Sequence, residues 1–339
     1  MTDRLAIALV GCGAIAEWHV DALVAAATRT DIVAVVDIDA GRAEALAKRT
    51  GARVLGSLDE ALADPDVDAV DLMLPHHLHE PAALAALAAG KHVLLEKPIA
   101  PSVDAADRIL AAAASAAVEH GTVFMVAENA QYWPEVLLVD DLVRSGAIGE
   151  IITARAWHCF PPMGDFYSGD HVWRFSAAEA GGGVAIDAGS HWIRPLRMWL
   201  GEMTEVVAAL GHPYPGMEGE SMCRSLCRFE SGVVASFDAF LVPGQVALSP
   251  LFQVTGTLGE LIVEPLGDVR LFDGADWKGT VVGTGSYLES YQGEFVDFES
   301  AVLDGTPLAA SAGQALGELR AAHAMYRSAV SRTWEAVWG

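Results

Sequence analysis

The chain has 339 residues, enough for two domains with sizeable cores, and 52% of them are hydrophobic, which excludes a disordered protein. Its formal net charge of -24 excludes nucleic acid and an anionic membrane surface as partners, because both demand a basic face; the charge serves solubility. Four cysteines, Cys12, Cys159, Cys223 and Cys227, form neither a C-x-x-C pair nor a metal-ligand spacing, so reduced thiols and a cytoplasmic location are expected. The start, MTDRLAIALVGCG, runs straight into a strand, and no signal peptide is expected. No apolar run reaches spanning length without a charge or a glycine.

Residues 5–10 read as a buried strand, followed by Gly11-Cys12-Gly13-Ala14-Ile15-Ala16 and a helix to about residue 27. This is G-x-G-x-x-A, the dinucleotide fingerprint with alanine in third place. Gly11 allows the tight turn, and Gly13 lets backbone N–H groups approach a pyrophosphate at the N-terminus of the helix that Ala14 and Ile15 open. A second strand, 32–36, ends in Asp37, where a carboxylate can accept from both ribose hydroxyls and repels the 2′-phosphate of NADP. NAD is therefore the expected cofactor, preferred over NADP. Asp39 suits the cap of the next helix better than Asp37 does. Arg42 could pair with a phosphate, which tempers the preference. A helix at 40–50, a strand at 53–55 and a helix at 58–63 continue the alternation.

The stretch 69–100, AVDLMLPHHLHEPAALAALAAGKHVLLEKPIA, carries the most chemistry. A strand at 69–74 stops at Pro75. His76, His77 and His79 follow in a loop, a helix spans 81–89 with Gly90 at its end, and a strand spans 91–95. Glu96, Lys97 and Pro98 come next. A lysine at the carboxyl end of a parallel strand stands where open α/β sheets bind ligands. Its amine can donate or accept a proton. Pro98 fixes the following backbone and allows a cis bond that would aim Lys97. His-His-x-His has metal-like spacing, but no cysteine or carboxylate cluster joins it, and no metal is expected. A helix at 102–119, capped by Ser102, and a strand at 122–126 close a doubly wound parallel sheet near residue 127.

The GKHV strand followed by Glu-Lys-Pro, with the P-H-H-x-H loop upstream, resembles the Gfo/Idh/MocA family of NAD(P)-dependent oxidoreductases. The resemblance places Pro75, His76, His79, Glu96 and Lys97 near the cofactor, with His76 where the family commonly has asparagine.

The second domain, 128–339, opens with Glu128-Asn129-Ala130-Gln131-Tyr132-Trp133-Pro134. Many family members have Asn-x-Arg-Phe-x-Pro here; Gln131 and Tyr132 replace the arginine and the phenylalanine and remove a fixed positive charge. A helix at 134–145 and a strand at 151–158 lead to a loop at 159–175, rich in proline, glycine and aromatics and long enough to serve binding. Trp173-Arg174 precede a glycine run, as in many members. Gly181-Gly182-Gly183 lead to Asp187 and His191. If helical from Asp187, these two lie at i and i+4 on one face, where a carboxylate can orient an imidazole that takes a proton from a hydroxyl. Glycines before them permit close approach of backbone to a ligand. The family has the same G-G-G…D-x-x-x-H pattern in its substrate pocket. Strands at 205–210, 221–229, 233–240, 251–255, 260–263 and 269–272 predict a mainly antiparallel sheet, with Cys223 and Cys227 packed on one face. Helices at 287–303 and 311–327 finish the chain.

The resemblance spans the chain and implies a Rossmann domain joined to an α/β domain with a large, mainly antiparallel open sheet. It implies reversible hydride transfer between NAD and a secondary alcohol carbon of a sugar, cyclitol or related polyol. Lys97, Asp187 and His191 would be catalytic, with His191 as base. Asn129, Trp173, Arg174, Lys97, Asp187 and His191 would contact substrate. Other readings stay open: a glycoside hydrolase or lyase that recycles NAD through transient oxidation, or a dihydrodiol dehydrogenase. A non-catalytic NAD-binding regulator fits less well, because Lys97, Asp187 and His191 are all kept. The uncovered sheet face predicts a homodimer or homotetramer.

Overall fold

The structure, a computed structural model, describes residues 3–25, 28–167, 172–265, 267–280 and 286–339. It divides into two compact units, Met1–Glu128 with Tyr291–Leu316, and Asn129–Ser290 with Gly317–Gly339. The sequence gives everything after residue 127 to the second domain; in the structure 291–316 return to the first unit.

The first unit alternates β1 (Leu5–Val10), α1 (Ala14–Ala25), β2 (Thr30–Val36), α2 (Ala40–Thr50), β3 (Arg53–Leu55), α3 (Leu58–Ala63), β4 (Ala69–Leu72), α4 (His79–Ala88), β5 (His92–Glu96), α5 (Val103–His120) and β6 (Phe124–Ala127). The strands are parallel in the order β3-β2-β1-β4-β5-β6, so the winding reverses between β1 and β4. Such a reversal opens a crevice at the carboxyl ends of the strands. Local chemistry sets the boundaries. Asp39 caps α2 by accepting from the N–H groups of Gly41 and Arg42, and Ser102 caps α5 by accepting from Ala105. The expected end of the first helix near residue 27 lies outside the described residues. β4 ends at Leu72, two residues short of expectation, and the histidine loop winds into a 3₁₀ turn, His76–Leu78, that feeds α4. Pro81 is thus the third residue of α4 and not its first, a place where no intrahelical N–H is needed.

The second unit contains α6 (Pro134–Arg144), β7 (Ile151–Phe160), the short α7 (Ala177–Ala180), α8 (Ser190–Leu200), β8 (Met203–Gly211), β9 (Met222–Phe229), β10 (Val234–Leu241), β11 (Phe252–Gly256), β12 (Glu260–Val263), β13 (Val269–Phe272) and β14 (Trp277–Thr280). After α9 (Ser286–Asp304), whose larger part belongs to the first unit, α10 (Ala315–Ser331) and β15 (Glu335–Ala336) complete it. The sheet order among the described residues is β14-β13-β12-β11-β7-β10-β9-β8-β15, antiparallel except where β7 meets β10. β14 and β15 have no counterpart in the sequence expectation. Of the expected 159–175 loop, Cys159 and Phe160 end β7, residues 168–171 lie outside the described residues, and 3₁₀ turns form at Gly164–Phe166 and Trp173–Phe175.

β9 shows the two sides of this sheet. Cys223, Ser225, Cys227 and Phe229 are buried while Arg224, Leu226 and Arg228 alternate with them toward solvent. The buried side meets α10, where Cys223 Sγ lies 3.6 Å from Met325 Sδ and Ser328 Oγ accepts from Ala208 N. α8 brings two arginines into this interior. Arg194 Nε and Nη2 donate to the two oxygens of Glu318 at 2.7 and 3.0 Å, and Arg194 Nη1 donates to Gln131 Oε1 at 2.7 Å. Arg197 donates to the same Glu318 and, from Nε and Nη2, to both oxygens of Glu202. Gln131, the residue that departs from the family pattern, therefore sits against a guanidinium supplied by α8.

Candidate active site

One candidate region, in the first unit, lies at the carboxyl ends of β1, β2, β4 and β5. Gly11 has φ +97°, and a Cβ on it would sit 2.2 Å from the Met73 carbonyl oxygen, so only glycine fits where the end of β1 passes β4. A Cβ on Gly13 would meet nothing within 4 Å. Open space over Gly13, at the start of the twelve-residue α1, is what a pyrophosphate cradle needs. Asp37 Oδ2 accepts from Cys12 N at 2.6 Å and Oδ1 from Asp39 N at 2.7 Å, so this carboxylate straps the glycine loop to the end of β2. Each oxygen keeps a second lone pair. Asp39, not Asp37, caps α2, and Arg42 leans on Asp39 at 3.8 Å. Ile38 beside Asp37 is fully exposed. Burial, with Asp37 assisting, pushes the Cys12 thiol up to about 12, so it stays neutral. The donor set and the free space both fit a dinucleotide.

The histidines separate. His76 is buried, His77 is exposed, and His79 is fully buried. His79 Nδ1 lies 2.8 Å from the Pro98 carbonyl oxygen and Nε2 lies 2.8 Å from that of Leu74. The His79 ring therefore lies between the two strand-end loops and clamps them; burial holds it below its usual range, and the neutral ring donates to one of these carbonyls. Glu96 is likewise buried, accepting from Lys97 N at 3.0 Å through Oε2 and meeting His19 Nε2 at 3.1 Å through Oε1. The Lys97–Pro98 bond is cis, and Lys97 is half-buried between buried Glu96 and Pro98. His19 and Asp71, which complete this cluster with an Nδ1–Oδ2 distance of 2.8 Å, escaped the sequence reading. The signal was there: an aspartate inside a buried parallel strand requires a partner.

A separate candidate region, in the second unit, is the turn before α8. The glycine run fits its own unit and not a ligand. A Cβ on Gly182 would lie 2.2 Å from Tyr326 Oη, and one on Gly183 would lie 1.8 Å from the Glu220 carbonyl oxygen. Glu220 straps the turn: its carbonyl accepts from Val184 N, and its Oε1 accepts from Ala185 N at 2.8 Å and from Tyr326 Oη at 3.2 Å. Burial pushes the Glu220 carboxyl up to about 7.

Asp187 lies in turns, three residues before α8 begins, so it and His191 do not share a helix as the spacing suggested. Its Oδ2 accepts from Arg174 Nε at 2.9 Å, and Ser190 Oγ donates to its carbonyl. The Arg174 guanidinium stacks over Trp173 at 4.2 Å and Phe166 at 5.2 Å. Arg174 is therefore engaged by Asp187, with Trp173 stacked against its guanidinium. Burial, reinforced by the Asp187 charge, pushes the Tyr167 hydroxyl up. His191, half-buried at the start of α8, lies 6.0 Å from Trp133, ring to ring. Asn129 is buried and donates to Ser290 Oγ at 3.0 Å, which fixes its amide within the unit. Lys97 and Glu96 stand in the first unit, Asp187, His191 and Arg174 in the second.

A family model described as an oxidoreductase family with an NAD-binding Rossmann fold matches residues 5–127, and one described as a GFO/IDH/MocA C-terminal domain matches residues 136–262. The chain is 35% identical over 276 residues to the 1,5-anhydro-D-fructose reductase of Ensifer adhaerens, covering 78% of each protein. It is 32% identical over 169 residues to the inositol 2-dehydrogenase of Corynebacterium glutamicum strain R, covering 50% of this chain and 49% of that one. A levoglucosan dehydrogenase solved with NADH and levoglucosan shares the fold, with TM-score 0.88 at 24% identity over 99% of this chain and 100% of that one. With its glycine cradle, its Glu-Lys-Pro turn and matches over both parts of its length, the chain belongs to the Gfo/Idh/MocA family of NAD-binding oxidoreductases.

Proposed function

We propose that this chain oxidises a secondary alcohol carbon of a sugar, cyclitol or related polyol, with NAD as partner. The observation that carries the reading is Lys97 at the end of β5, in the sheet whose winding reverses beside the Gly11–Gly13 cradle. The sugar and cyclitol names of its relatives support the substrate class. Gly13, the first N–H groups of α1 at Ala14 and Ile15, and Asp37 would hold the dinucleotide, with Pro75 and His76 beside it. When bound, NAD supplies the hydride acceptor. Lys97 donates a hydrogen bond to the reacting oxygen and stabilises its alkoxide-like charge. His191 takes the hydroxyl proton, and Asp187, held by Arg174, supports the imidazolium that results. A panel of polyols, sugars and dihydrodiols scored for NADH formation tests this. A chain that binds NAD but oxidises none of them would refute the reading.

NAD is preferred over NADP, since the Asp37 carboxylate opposes a 2′-phosphate and Arg42 leans on Asp39. In titrations NAD is expected to bind more tightly, and Asp37→Ser is expected to narrow the gap by about tenfold, or 1.4 kcal/mol. Equal or tighter NADP binding by the unaltered chain would refute the preference.

The assembly is proposed to form through the outer face of the large sheet. That face is not the apolar surface the sequence suggested. Arg155 stacks over Trp157 at 4.5 Å, and Arg224 stacks over Phe240 at 5.3 Å while pairing with Asp238 at 2.6 Å. Stacked arginine and aromatic groups beside exposed Leu226 are the composition of interface cores. Light scattering at micromolar concentration should give a dimer or tetramer, and Leu226→Glu should shift it toward monomer; a monomeric unaltered chain contradicts the proposal.

A further inference from the structure

The interior of the first unit holds an ionisable cluster that the proposed chemistry leaves without a task. His19 projects from α1, Asp71 from β4, Glu96 from the end of β5 and Glu294 from α9. All four are buried. His19 Nδ1 lies 2.8 Å from Asp71 Oδ2, and Nε2 lies 3.1 Å from Glu96 Oε1. A neutral imidazole carries one N–H, and here both ring nitrogens face carboxylate oxygens, an arrangement that a doubly protonated ring between two ionised carboxylates satisfies; burial pushes Asp71 up, and His19 opposes it. Burial alone would push His19 down; Asp71 and Glu96 outweigh it and hold the ring well above its usual range. Tyr291 and Phe295 of α9 pack on the ring at 5.2 and 5.3 Å and fix its plane.

Glu294 completes the cluster differently. It is fully buried, and neither of its oxygens has a hydrogen-bond partner among the described residues. An ionised carboxylate in that state would be costly. Burial pushes Glu294 well above the carboxylate range; His19 opposes this, and Glu96, Asp71 and Glu128 add to it. It is carried as a neutral acid.

We propose that His19 is a positioning residue for the catalytic lysine: as an imidazolium between Asp71 and Glu96 it fixes the Glu96 carboxylate, which through Oε2 holds the Lys97 main chain. The same helix that begins at the dinucleotide cradle thereby sets the strand-end turn that carries the amine. The proposal rests on the reading of Lys97 as the group that meets the substrate oxygen.

The full-length chain, labelled with ¹⁵N-histidine, is compared by NMR with His19→Gln at pH 7. The unaltered chain should show one buried ring with both nitrogens protonated, and His19→Gln should lose that signal; a neutral ring at His19 overturns the proposal. Acetic anhydride labelling of Lys97, referenced to exposed Lys48, is then read beside the melting temperature. Without the imidazolium, Asp71 and Glu96 lose their counter-charge, and their uncompensated negative charge beside the Lys97 main chain disfavours its neutral, reactive amine. The Lys97:Lys48 ratio should fall by about tenfold. A lower melting temperature with an unchanged ratio would mean a structural role only. Should His19→Gln not fold, Asp71→Asn must change the same ratio, and an unchanged ratio is again contrary. Glu294→Gln swaps a neutral acid for a neutral amide and must leave the His19 signal as it is; a lost proton there overturns the assignment of Glu294. On a polyol the chain oxidises, His19→Gln should lower kcat by about 10–100-fold with NAD affinity retained. The first two readouts need no substrate, so a failed polyol panel and a failed positioning role give different results.

Discussion

Lys97→Met is expected to lower turnover by about 10²–10⁴-fold, the usual worth of a positioned acid–base group. Methionine keeps the length of the side chain and removes the charge and every donor. The fold should survive, because Lys97 is only half-buried while the clamp around it, His79 on the Pro98 and Leu74 carbonyls, is untouched. NAD should still bind, because the Gly13 cradle and Asp37 are unaltered. The measurement is kcat on any polyol that gives NADH, with NAD affinity measured separately on the same preparation. His191→Ala should lose a comparable factor and change the pH profile, since His191 is the proposed base. Near wild-type turnover by Lys97→Met would return Lys97 to a solvated charge at a strand end and leave the chemistry to be rebuilt on Asp187 and His191.

The second large effect concerns stability. Glu318→Ala should destabilise the protein by about 3–5 kcal/mol, the cost of breaking a buried ion pair from one side. Arg194 loses both of its bonds to that carboxylate and keeps only Gln131, while Arg197 keeps Glu202. Burial would lower Arg197, but Glu318 and Glu202 hold its guanidinium above its ordinary value. Its guanidinium also fills the space beside Gly317, where a Cβ would come within 2.1 Å of Arg197 Cζ. In a domain of this size the melting temperature should fall by roughly 6–20 °C. A loss of no more than about 1 kcal/mol, the range of an exposed pair, would show that the two guanidinium groups find other partners when Glu318 is gone.

What could be read beforehand followed from local chemistry. The alternation of the Rossmann unit was legible because most strands are short apolar runs between helices with Ser, Asp or Gly at their ends, and because Gly11 has a steric reason to be glycine. Gly181–Gly183 misled for the opposite reason: glycine marks a close approach without saying what approaches, and here the neighbours are Glu220 and Tyr326, far away in sequence. His79 and Asn129 show the same limit, since a polar side chain in a motif does not announce that a carbonyl or a serine of its own unit also engages it. The return of 291–316 to the first unit was invisible to a reading in chain order. It depends on Tyr291 and Phe295 meeting a histidine on α1, and on Glu299 accepting from Arg29 N and Thr30 Oγ1.

That return has a consequence for biosynthesis. A ribosome that has released residue 128 has made every strand of the parallel sheet but not the wall that covers α1, because residues 129–290 must be translated first. At ordinary elongation rates the wait is roughly ten to thirty seconds. Through it, the ring of His19 and the apolar flank of α1 stay without Tyr291 and Phe295. A fragment cut after residue 128 would be held permanently at that nascent stage. An engineered minimal nucleotide-binding fragment would need 291–316 grafted back through a linker.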